Sequence, residues 1–169
     1  MLRYTLALIR YQEELLMINR KKKPWKGCWN GIGGKLEPGE SAEECIIREI
    51  REETSVQLLH PLYQGIATWH PEGEEPQGMY LFTADLGQKE KGLPRATREG
   101  ILDWKPMDWV FSSDNLGTVP TLRFFALKLL DSTKRTPVEY HFDFDGDVIT
   151  HAEERPLSAN FRGEPEGIK

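Results

Sequence analysis

The sequence predicts an α/β fold in which helices pack on both faces of a mixed central sheet. The order of elements carries this prediction, because strands are followed by a helix, more strands, a second helix and a closing hairpin. The size of the chain agrees, since 169 residues with 38% hydrophobic content suit one globular domain with a sizeable core. Each element also has its own local signal.

The strands are indicated by short runs of apolar, β-branched and aromatic residues between turn signals. In chain order the predicted strands are residues 3–10, 14–19, 56–62, 63–70, 79–85, 101–106, 139–144 and 147–151. The first two form a hairpin that turns at Gln12-Glu13. The last two form a hairpin around Asp145-Gly146, a dipeptide favoured in tight turns. Residues 71–78 are predicted to be a polar loop and residues 86–97 a linker.

Two helices are predicted, over residues 41–54 and 121–130. The first has a complete start signal: Pro38-Gly39 makes a turn, Ser41 is the N-cap, and Glu44 at the third helical position completes a capping box. The second has the spacing of an amphipathic helix. Both helices therefore offer an apolar face to the sheet.

The composition of the chain limits the classes of binding partner and the cell compartment that we expect. The net charge is −5 without a long basic run, which disfavours duplex nucleic acid as a partner. Cys28 and Cys45 give no disulfide framework. There is no apolar stretch of transmembrane length and no signal-peptide pattern. We expect a cytoplasmic protein without a membrane partner, a monomer or homodimer, with one domain over 1–155 and a loose polar tail over 156–169.

The first helix has an unusual acidic side. Glu49, Glu52 and Glu53 are spaced i, i+3 and i+4, so they are neighbours on that helix. Glu53 projects among the apolar side chains, where an unpaired charge is unfavourable. A hard divalent cation would offset the repulsion, and Mg²⁺ takes oxygen ligands at sites shared with substrate phosphates. The alternative is a salt-bridged surface helix with Glu44–Arg48 and Arg48–Glu52 as i,i+4 pairs.

The residues around this helix complete a longer pattern. Gly33-Gly34 allows the backbone to come close to a ligand or metal. Glu40 is expected to be structural, as a partner of Arg48 or of a nearby backbone amide. The full pattern is Gly-x5-Glu-x7-Arg-Glu-Ile-x-Glu-Glu, and its six defined positions are Gly34, Glu40, Arg48, Glu49, Glu52 and Glu53.

This pattern resembles the Nudix box, the signature of hydrolases that cleave a nucleoside diphosphate linked to another moiety. The runs LRYTLALI, WNGIGGK and YHFDFDGDVI extend the resemblance to the MutT-like subgroup and its animal homologues, over about residues 2–154. The resemblance implies an α/β/α sandwich with a mixed central sheet. It also implies a small-molecule nucleotide substrate.

The resemblance assigns metal ligands. It implies that Glu49, Glu52 and Glu53 bind Mg²⁺ or Mn²⁺, often together with the carbonyl of Gly33. Glu99 matches the place where MutT-like proteins supply a further carboxylate from outside the helix. The general base is either Glu49 or Glu99.

Other residues are expected to contact substrate or to orient the site. Arg48 orients a glutamate, and Lys35 is a candidate contact for a phosphate. Asn30 stands where MutT-like proteins hydrogen-bond the purine, and its amide offers both a donor and an acceptor. The candidate walls of the base pocket are Tyr4, Thr5 and Trp69.

Two departures from the family pattern bear on stability and substrate. Ser55 replaces the usual glycine after the helix, at a cost of roughly 1 kcal/mol if it adopts the left-handed conformation. The animal homologues read oxidised purines with paired aspartates after a Trp-Pro, whereas this chain has Val119-Pro120-Thr121-Leu122, with Asp114 out of register. The sequence therefore does not support recognition of an oxidised base in that manner.

Three functions remain open. The first is a metal-dependent nucleoside triphosphate pyrophosphohydrolase that releases a nucleoside monophosphate and pyrophosphate from a purine nucleotide, with 8-oxo-dGTP as a candidate. The second is a Nudix hydrolase of ADP-sugars, dinucleoside polyphosphates or RNA 5′ ends. The third is a non-catalytic nucleotide sensor, which the presence of Glu52 and Glu53 disfavours.

Overall fold

A mixed sheet runs through the part of the chain that the computed structural model describes, residues 2–71, 75–131, 133 and 136–158. The strands are Tyr4–Tyr11 (β1), Glu14–Arg20 (β2), Trp29–Asn30 (β3), Leu62–Trp69 (β4), Gln77–Asp85 (β5), Arg95–Ala96 (β6), Gly100–Pro106 (β7), Val138–Asp145 (β8) and Val148–Pro156 (β9). The helices are Ala42–Thr54 (α1), Met107–Val110 (α2) and Leu122–Leu130 (α3).

The sheet order places the beginning of the chain at its centre. The strands lie in the order β6-β7-β2-β1-β5-β4-β8-β9, and β3 pairs with β2. The β1–β5 and β4–β8 pairs are parallel, and the other neighbours are antiparallel. The predicted mixed sheet is therefore confirmed, and so are the two hairpins, although the second turns at Gly146-Asp147, one residue later than predicted.

Each face of the sheet carries its own core. On one face, Ile46 and Ile50 of α1 are fully buried against Ala7 and Ile9 of β1. On the other face, α3 contributes its own buried side chains, among them Phe125. This arrangement confirms the α/β/α sandwich. No helix within the described residues is long and apolar enough to cross a membrane.

The ends of α1 follow the local signals in the sequence. The Ser41 hydroxyl accepts from the Glu44 amide at 3.1 Å, and the Glu44 carboxylate accepts from the Ser41 amide at 2.8 Å, so the capping box is present. At the other end Ser55 adopts the left-handed conformation, with φ 65°. Its amide donates to the carbonyl of Arg51 at 3.0 Å, which closes the helix.

Four elements differ from the predictions, and two of them are the two-residue strands β3 and β6, of which β6 lies in the predicted linker. Residues 56–62 were predicted as a strand, but the chain between α1 and Leu62 forms no ladder. Val56 and Leu58 pack against the α1-side core, so their alternation reflects packing rather than strand pairing. The short helix α2 was not predicted, because four residues carry too little periodicity.

The end of the domain lies close to the expected position. β9 runs to Pro156, and Leu157 is buried in the core beside α1. Most of the predicted loose tail, residues 159–169, lies outside the described residues, so its looseness and the domain boundary at residue 155 stay predictions.

Candidate active site

One cavity of about 430 Å³ gathers residues that the sequence analysis singled out, and this volume is typical of small-molecule sites. It opens between the first residues of β1, the Gly-rich turn after β3 and the end of β4. The predicted residues that line it are Tyr4, Thr5, Asn30, Gly33, Glu53, Trp69 and Glu99.

Glu53 is the acidic group that α1 places in this cavity. Its Oε2 atom is buried and has no hydrogen-bond partner among the described residues. Burial, together with repulsion from the carboxylates of Glu49 and Glu99, raises the pKa of Glu53 to about 8. Glu53 therefore holds a proton at neutral pH unless a cation compensates its charge.

Glu49 lies beneath the Gly-rich turn. A Cβ atom added to Gly34 would lie 2.2 Å from the carboxyl carbon of Glu49, and one added to Gly33 would lie 2.0 Å from the carbonyl oxygen of Thr5. The two glycines thus allow the turn to close over the helix, with Glu49 only 14% exposed.

Arg48 organises the neighbouring carboxylates from outside the cavity. Its Nε and Nη2 donate to the two carboxylate oxygens of Glu40 at 2.7 and 2.9 Å, and its Nη1 donates to Glu49 Oε1 at 2.8 Å. The guanidinium holds the pKa of Glu40 below its ordinary value. Glu40 also accepts from the amide of Glu37, so the structural role predicted for Glu40 is confirmed.

Four predicted residues lie outside the cavity lining: Arg48, Glu49, Glu52 and Lys35. The Glu52 side chain is 48% exposed, and its Oε2 is 3.7 Å from Nη1 of Arg48. Lys35 is exposed, and its backbone carbonyl accepts a hydrogen bond from Nη2 of Arg48 at 3.2 Å. Their proposed contacts with metal and phosphate stay predictions.

Glu99 reaches the cavity from the turn between β6 and β7. The hydroxyl of Thr97 accepts from the Glu99 and Gly100 amides, at 3.3 and 3.2 Å, which holds this turn. Lys22 Nζ lies 3.1 Å from Glu99 Oε1, and Arg98 Nε lies 3.4 Å from the same oxygen. The Glu99 carboxylate that lines the cavity therefore has two cationic neighbours, Lys22 and Arg98.

The residues present fit a hard divalent cation. Within the described chain no three His, Cys, Asp or Glu side chains converge on one point; Glu49 accepts from Arg48 and Glu99 accepts from Lys22. The oxygen of Glu53 that lacks a partner nevertheless lies among carboxylates that repel its charge. An all-oxygen donor set of this kind suits Mg²⁺ or Mn²⁺.

The aromatic end of the cavity has the features of a base site. The rings of Tyr4 and Trp69 stack, with centroids 6.4 Å apart and planes inclined by 27°. The side-chain amide of Asn30, which lines the cavity, has no hydrogen-bond partner among the described residues, so its donor and its acceptor are both unused. Thr5 also lines the cavity, but its hydroxyl lies 3.4 Å from Cys45 Sγ of α1.

Sequence reasoning missed the other side of the cavity. Arg20, Lys22, Lys23 and Trp25 line it, and the Trp25 ring packs on Phe144 with centroids 6.3 Å apart. We call residues 20–28 the basic strap. Its signal, five cations in seven residues from position 20 to position 26, was visible in the sequence, but nothing local showed which way the loop would fold.

The segment 118–121 is a wall shared by two cavities. Val119 and Thr121 line the catalytic cavity. Thr118 and Pro120 line a groove of about 380 Å³ on the other side. This wall therefore presents an apolar and a hydroxyl side chain to the 430 Å³ cavity, at the place where the sequence lacks an acidic pair.

Comparison with known proteins agrees with this geometry. The NUDIX domain family matches residues 1–131. A mouse oxidized purine nucleoside triphosphate hydrolase is 32% identical over 114 residues, which cover 66% of this chain and 70% of that protein. The NAD-capped RNA hydrolase NudC of Pseudomonas fluorescens is 39% identical over 127 residues, which cover 75% of this chain but only 42% of that protein.

The fold comparison covers more of the chain. A MutT protein from Bacillus halodurans superposes with a TM-score of 0.72 at 25% identity, over 92% of this chain and 99% of that one. Since the family match extends over most of the chain and includes α1, the chain belongs to the NUDIX domain family.

Proposed function

We propose that this Nudix protein is a metal-dependent nucleoside triphosphate pyrophosphohydrolase that releases a nucleoside monophosphate and pyrophosphate. The proposed substrate is a purine nucleotide, with 8-oxo-dGTP as the oxidised candidate. One observation carries the proposal. A single cavity presents a buried carboxylate oxygen that lacks a hydrogen-bond partner among the described residues, three cations and a stacked aromatic pair. These groups match the metal, the phosphates and the base of one nucleotide.

The metal site is proposed on the glutamates of α1 and on Glu99. Glu49, Glu52, Glu53 and Glu99 would hold Mg²⁺ or Mn²⁺, with the carbonyl of Gly33. Nudix hydrolases generally need divalent metal ions. When bound, such an ion screens the negative charges, polarises the phosphoryl oxygens and lowers the pKa of water.

The chain's own residues supply orientation and a base. Arg48 is a positioning residue, because it holds Glu49 without reaching the cavity. Arg20, Lys22 and Lys23 are placed to bind the phosphates. The base that accepts the proton of water is Glu49 or Glu99. The water oxygen forms a bond to phosphorus, the bridging P–O bond breaks, and its electron pair leaves with the bridging oxygen.

The base is proposed to lie against the Tyr4–Trp69 pair. Stacking accepts any purine, so the choice between purines depends on groups that hydrogen-bond to the edge of the base. Asn30 offers a donor and an acceptor, and Thr121 offers a hydroxyl in place of a carboxylate. The name of the mouse relative supports an oxidised purine as one candidate, and the name of the Pseudomonas relative supports a capped RNA as another.

The test is a Mg²⁺-dependent hydrolysis panel with identified products. It compares 8-oxo-dGTP, dGTP, dATP, ADP-ribose and a dinucleoside polyphosphate. Glu53→Gln is the inactive variant, and Glu43→Gln on the first turn of the same helix is its matched control. We expect monophosphate and pyrophosphate from a purine triphosphate and a loss of about 10²–10⁴-fold in Glu53→Gln.

Other outcomes of the panel would overturn parts of the proposal. Preference for ADP-ribose or the dinucleoside compound would keep the reaction and change the substrate. Turnover without metal, or full activity in Glu53→Gln, would contradict the mechanism. No turnover of any compound would favour a nucleotide sensor.

A further inference from the structure

Lys105 of β7 is a cation whose ammonium group lies against an aromatic ring and an acid. Its Nζ is 4.2 Å from the centroid of the Trp29 ring and donates to Asp103 Oδ2 at 2.9 Å. The side chain is only 23% exposed, so the charge is partly removed from water. A cation at this distance from an indole is attracted to it, and more strongly when desolvated. Lys105 therefore fastens the Trp29 ring to β7.

Trp29 in turn joins two parts of the site. It belongs to β3, which has only two residues and pairs along one edge with the end of β2. On the other side of the strand, the Trp29 amide donates to the carbonyl of Gly117 at 2.7 Å, and the Trp29 carbonyl accepts from the amide of Val119 at 2.9 Å. Because so short a strand makes few ladder contacts, its position depends on what holds its side chains.

The residues attached to Trp29 line the catalytic cavity. Asn30 follows it in the chain, Val119 is hydrogen-bonded to it, and both are part of the lining. The Trp29 ring packs against the core beside α3. Since successive side chains of a strand point to opposite faces, Asn30 points away from that ring. A displacement of the Trp29 ring therefore changes the direction of the Asn30 amide.

A second set of contacts supports the wall through the backbone. Asn115 Nδ2 donates to the carbonyl of Trp109 at 2.8 Å, and Asn115 Oδ1 accepts from the amide of Gly117 at 2.8 Å. The Trp109 ring lies farther from Lys105 than the Trp29 ring does, at 5.9 Å from Nζ. The charge of Lys105 therefore acts chiefly on Trp29, while Trp109 supports the wall with its carbonyl.

We propose that Lys105 is a positioning residue of the base site, which acts through Trp29 to direct the Asn30 amide at the edge of the base. This inference rests on the proposed function, in which a purine occupies the cavity. Lys105 itself lies outside the cavity lining and touches none of the proposed reacting groups. Its removal should therefore weaken nucleotide binding and spare the chemical step.

The first test compares Lys105→Met with Lys105→Arg in steady-state kinetics with the preferred purine triphosphate. Methionine keeps an unbranched apolar side chain and removes the charge, so KM should rise about tenfold while kcat stays within about twofold. Arginine also stacks on aromatic rings, so Lys105→Arg should keep KM within about threefold of the unmodified protein. An effect of Lys105→Arg as large as that of Lys105→Met would overturn the role of the charge.

Lys89 provides the matched control. Its Nζ lies 5.7 Å from the centroid of the Trp104 ring and pairs with Glu14, so it has the same kind of surroundings as Lys105. Lys89 and Trp104 both lie outside the cavity lining. Lys89→Met should therefore leave KM and kcat unchanged. A rise in KM as large as that in Lys105→Met would overturn the inference.

A double-mutant cycle with Asn30→Ala tests the route of the effect. If Lys105 acts by directing Asn30, its removal has little left to disturb once the amide is gone. Lys105→Met should then raise KM by less than about threefold in the Asn30→Ala background. Equal rises in the two backgrounds would show that Lys105 does not act through Asn30, which overturns the inference.

Binding of dGMP separates this inference from the proposed function, because dGMP has no anhydride bond to hydrolyse. We expect Lys105→Met to raise the Kd for dGMP about tenfold in isothermal titration calorimetry, and Lys105→Arg to restore it. If no triphosphate is hydrolysed but this pattern is seen, the proposed function fails and the positioning role stands. A lower melting temperature with unchanged Kd and KM, or a fall in kcat at constant KM, would overturn the positioning role.

Discussion

The two sides of the catalytic cavity are built in different ways. On the acidic side, one helix carries Glu49 and Glu53, and their relative positions follow from helical geometry alone. On the basic side, Arg20 and Trp25 come from a loop, and Phe144 comes from a strand 119 residues farther along the chain than Trp25. The proposed reacting groups are thus placed by local structure, and the proposed substrate contacts by long-range pairing.

Their environments differ as well. The Glu53 oxygen is buried, whereas Lys22 is 65% exposed. A buried group has little freedom to adjust, so a change there should alter the rate of the chemical step. An exposed contact mainly contributes binding, so a change there should alter KM. The predictions below test this division, from the largest expected effect to the smallest.

Gly34→Ala should displace Glu49 and lower the activity, with little loss of stability. The added Cβ meets the carboxylate of Glu49, the mobile end of a side chain, so Glu49 moves and the fold stays. We expect kcat to fall about 100-fold with the melting temperature nearly unchanged. In Gly33→Ala the Cβ meets the Thr5 carbonyl, which is backbone, so the melting temperature should fall. Full activity in Gly34→Ala would remove Glu49 from the chemical step.

Arg48→Gln should weaken the same side less directly. It leaves Glu40 and Glu49 without their shared guanidinium, so kcat/KM should fall about 10–100-fold and half-saturation should need more Mg²⁺. Arg48→Lys keeps the charge but not the forked contact, so its effect should be intermediate. The measurement is a Mg²⁺ titration of the rate. A lower melting temperature with an unchanged titration would indicate a structural role only.

Trp69→Leu should act on substrate binding. It preserves an apolar side chain but removes the stacked ring, so KM should rise about tenfold while kcat changes little. Steady-state kinetics with the preferred nucleotide provide the measurement. Trp109→Leu, which alters a tryptophan away from the cavity lining, should leave both constants unchanged. A fall in kcat with constant KM would contradict the division proposed here.

Glu53→Gln should raise the free energy of unfolding of the metal-free protein, and the size of the gain should depend on pH. The pKa of Glu53 is about 8 in the folded protein, against an ordinary value of 4.5, so between these values the unfolded chain is ionised while the folded protein keeps the proton. Stability therefore falls as pH rises from about 4.5 to about 8. In EDTA we expect the variant to gain about 1–3 kcal/mol above pH 8 and little at pH 4.

This stability difference has its own control. Added Mg²⁺ should remove or reverse the gain of Glu53→Gln, because the ion stabilises only the protein that binds it well. Urea unfolding at the two pH values, with and without Mg²⁺, provides the measurement. An equal gain at both pH values would show that the burial of charge at Glu53 is not the cause.

Ser55→Gly should give the smallest effect. Ser55 closes α1 in the left-handed conformation, which glycine adopts without steric strain. We expect the free energy of unfolding to rise by roughly 1 kcal/mol and kcat to stay the same. Ser55→Ala keeps the Cβ atom and should bring no gain. A changed kcat in Ser55→Gly would mean that the end of α1 influences the acidic side.

The sequence predicted the acidic side well because its determinants lie close together in the chain. The capping box of Ser41 and Glu44, the left-handed Ser55 and the Glu40–Arg48 pair all occur within sixteen residues and appear in the structure as expected. Short-range spacing and turn chemistry were sufficient there. The metal and substrate roles of these residues stay predictions.

The basic side could not be derived from local patterns. Trp25 meets Phe144 only because β8 pairs with β4 in one register, with a bulge between Asp143 and Phe144. A change of one residue in that register would turn Phe144 to the opposite face of the sheet. The strand predicted over residues 56–62 was wrong for a related reason, because the alternating apolar residues there pack on the core without pairing to a strand.

The shared wall at residues 118–121 has a consequence for directed evolution of this protein. Because Val119 and Thr121 face the catalytic cavity while Thr118 and Pro120 face the outer groove, neighbouring codons address different surfaces. If the base lies in this cavity as proposed, a library randomised at positions 119 and 121 samples new base preferences and leaves α1 unchanged. Randomising positions 118 and 120 instead changes how this segment packs on the side of the outer groove and leaves the cavity-facing side chains as they are.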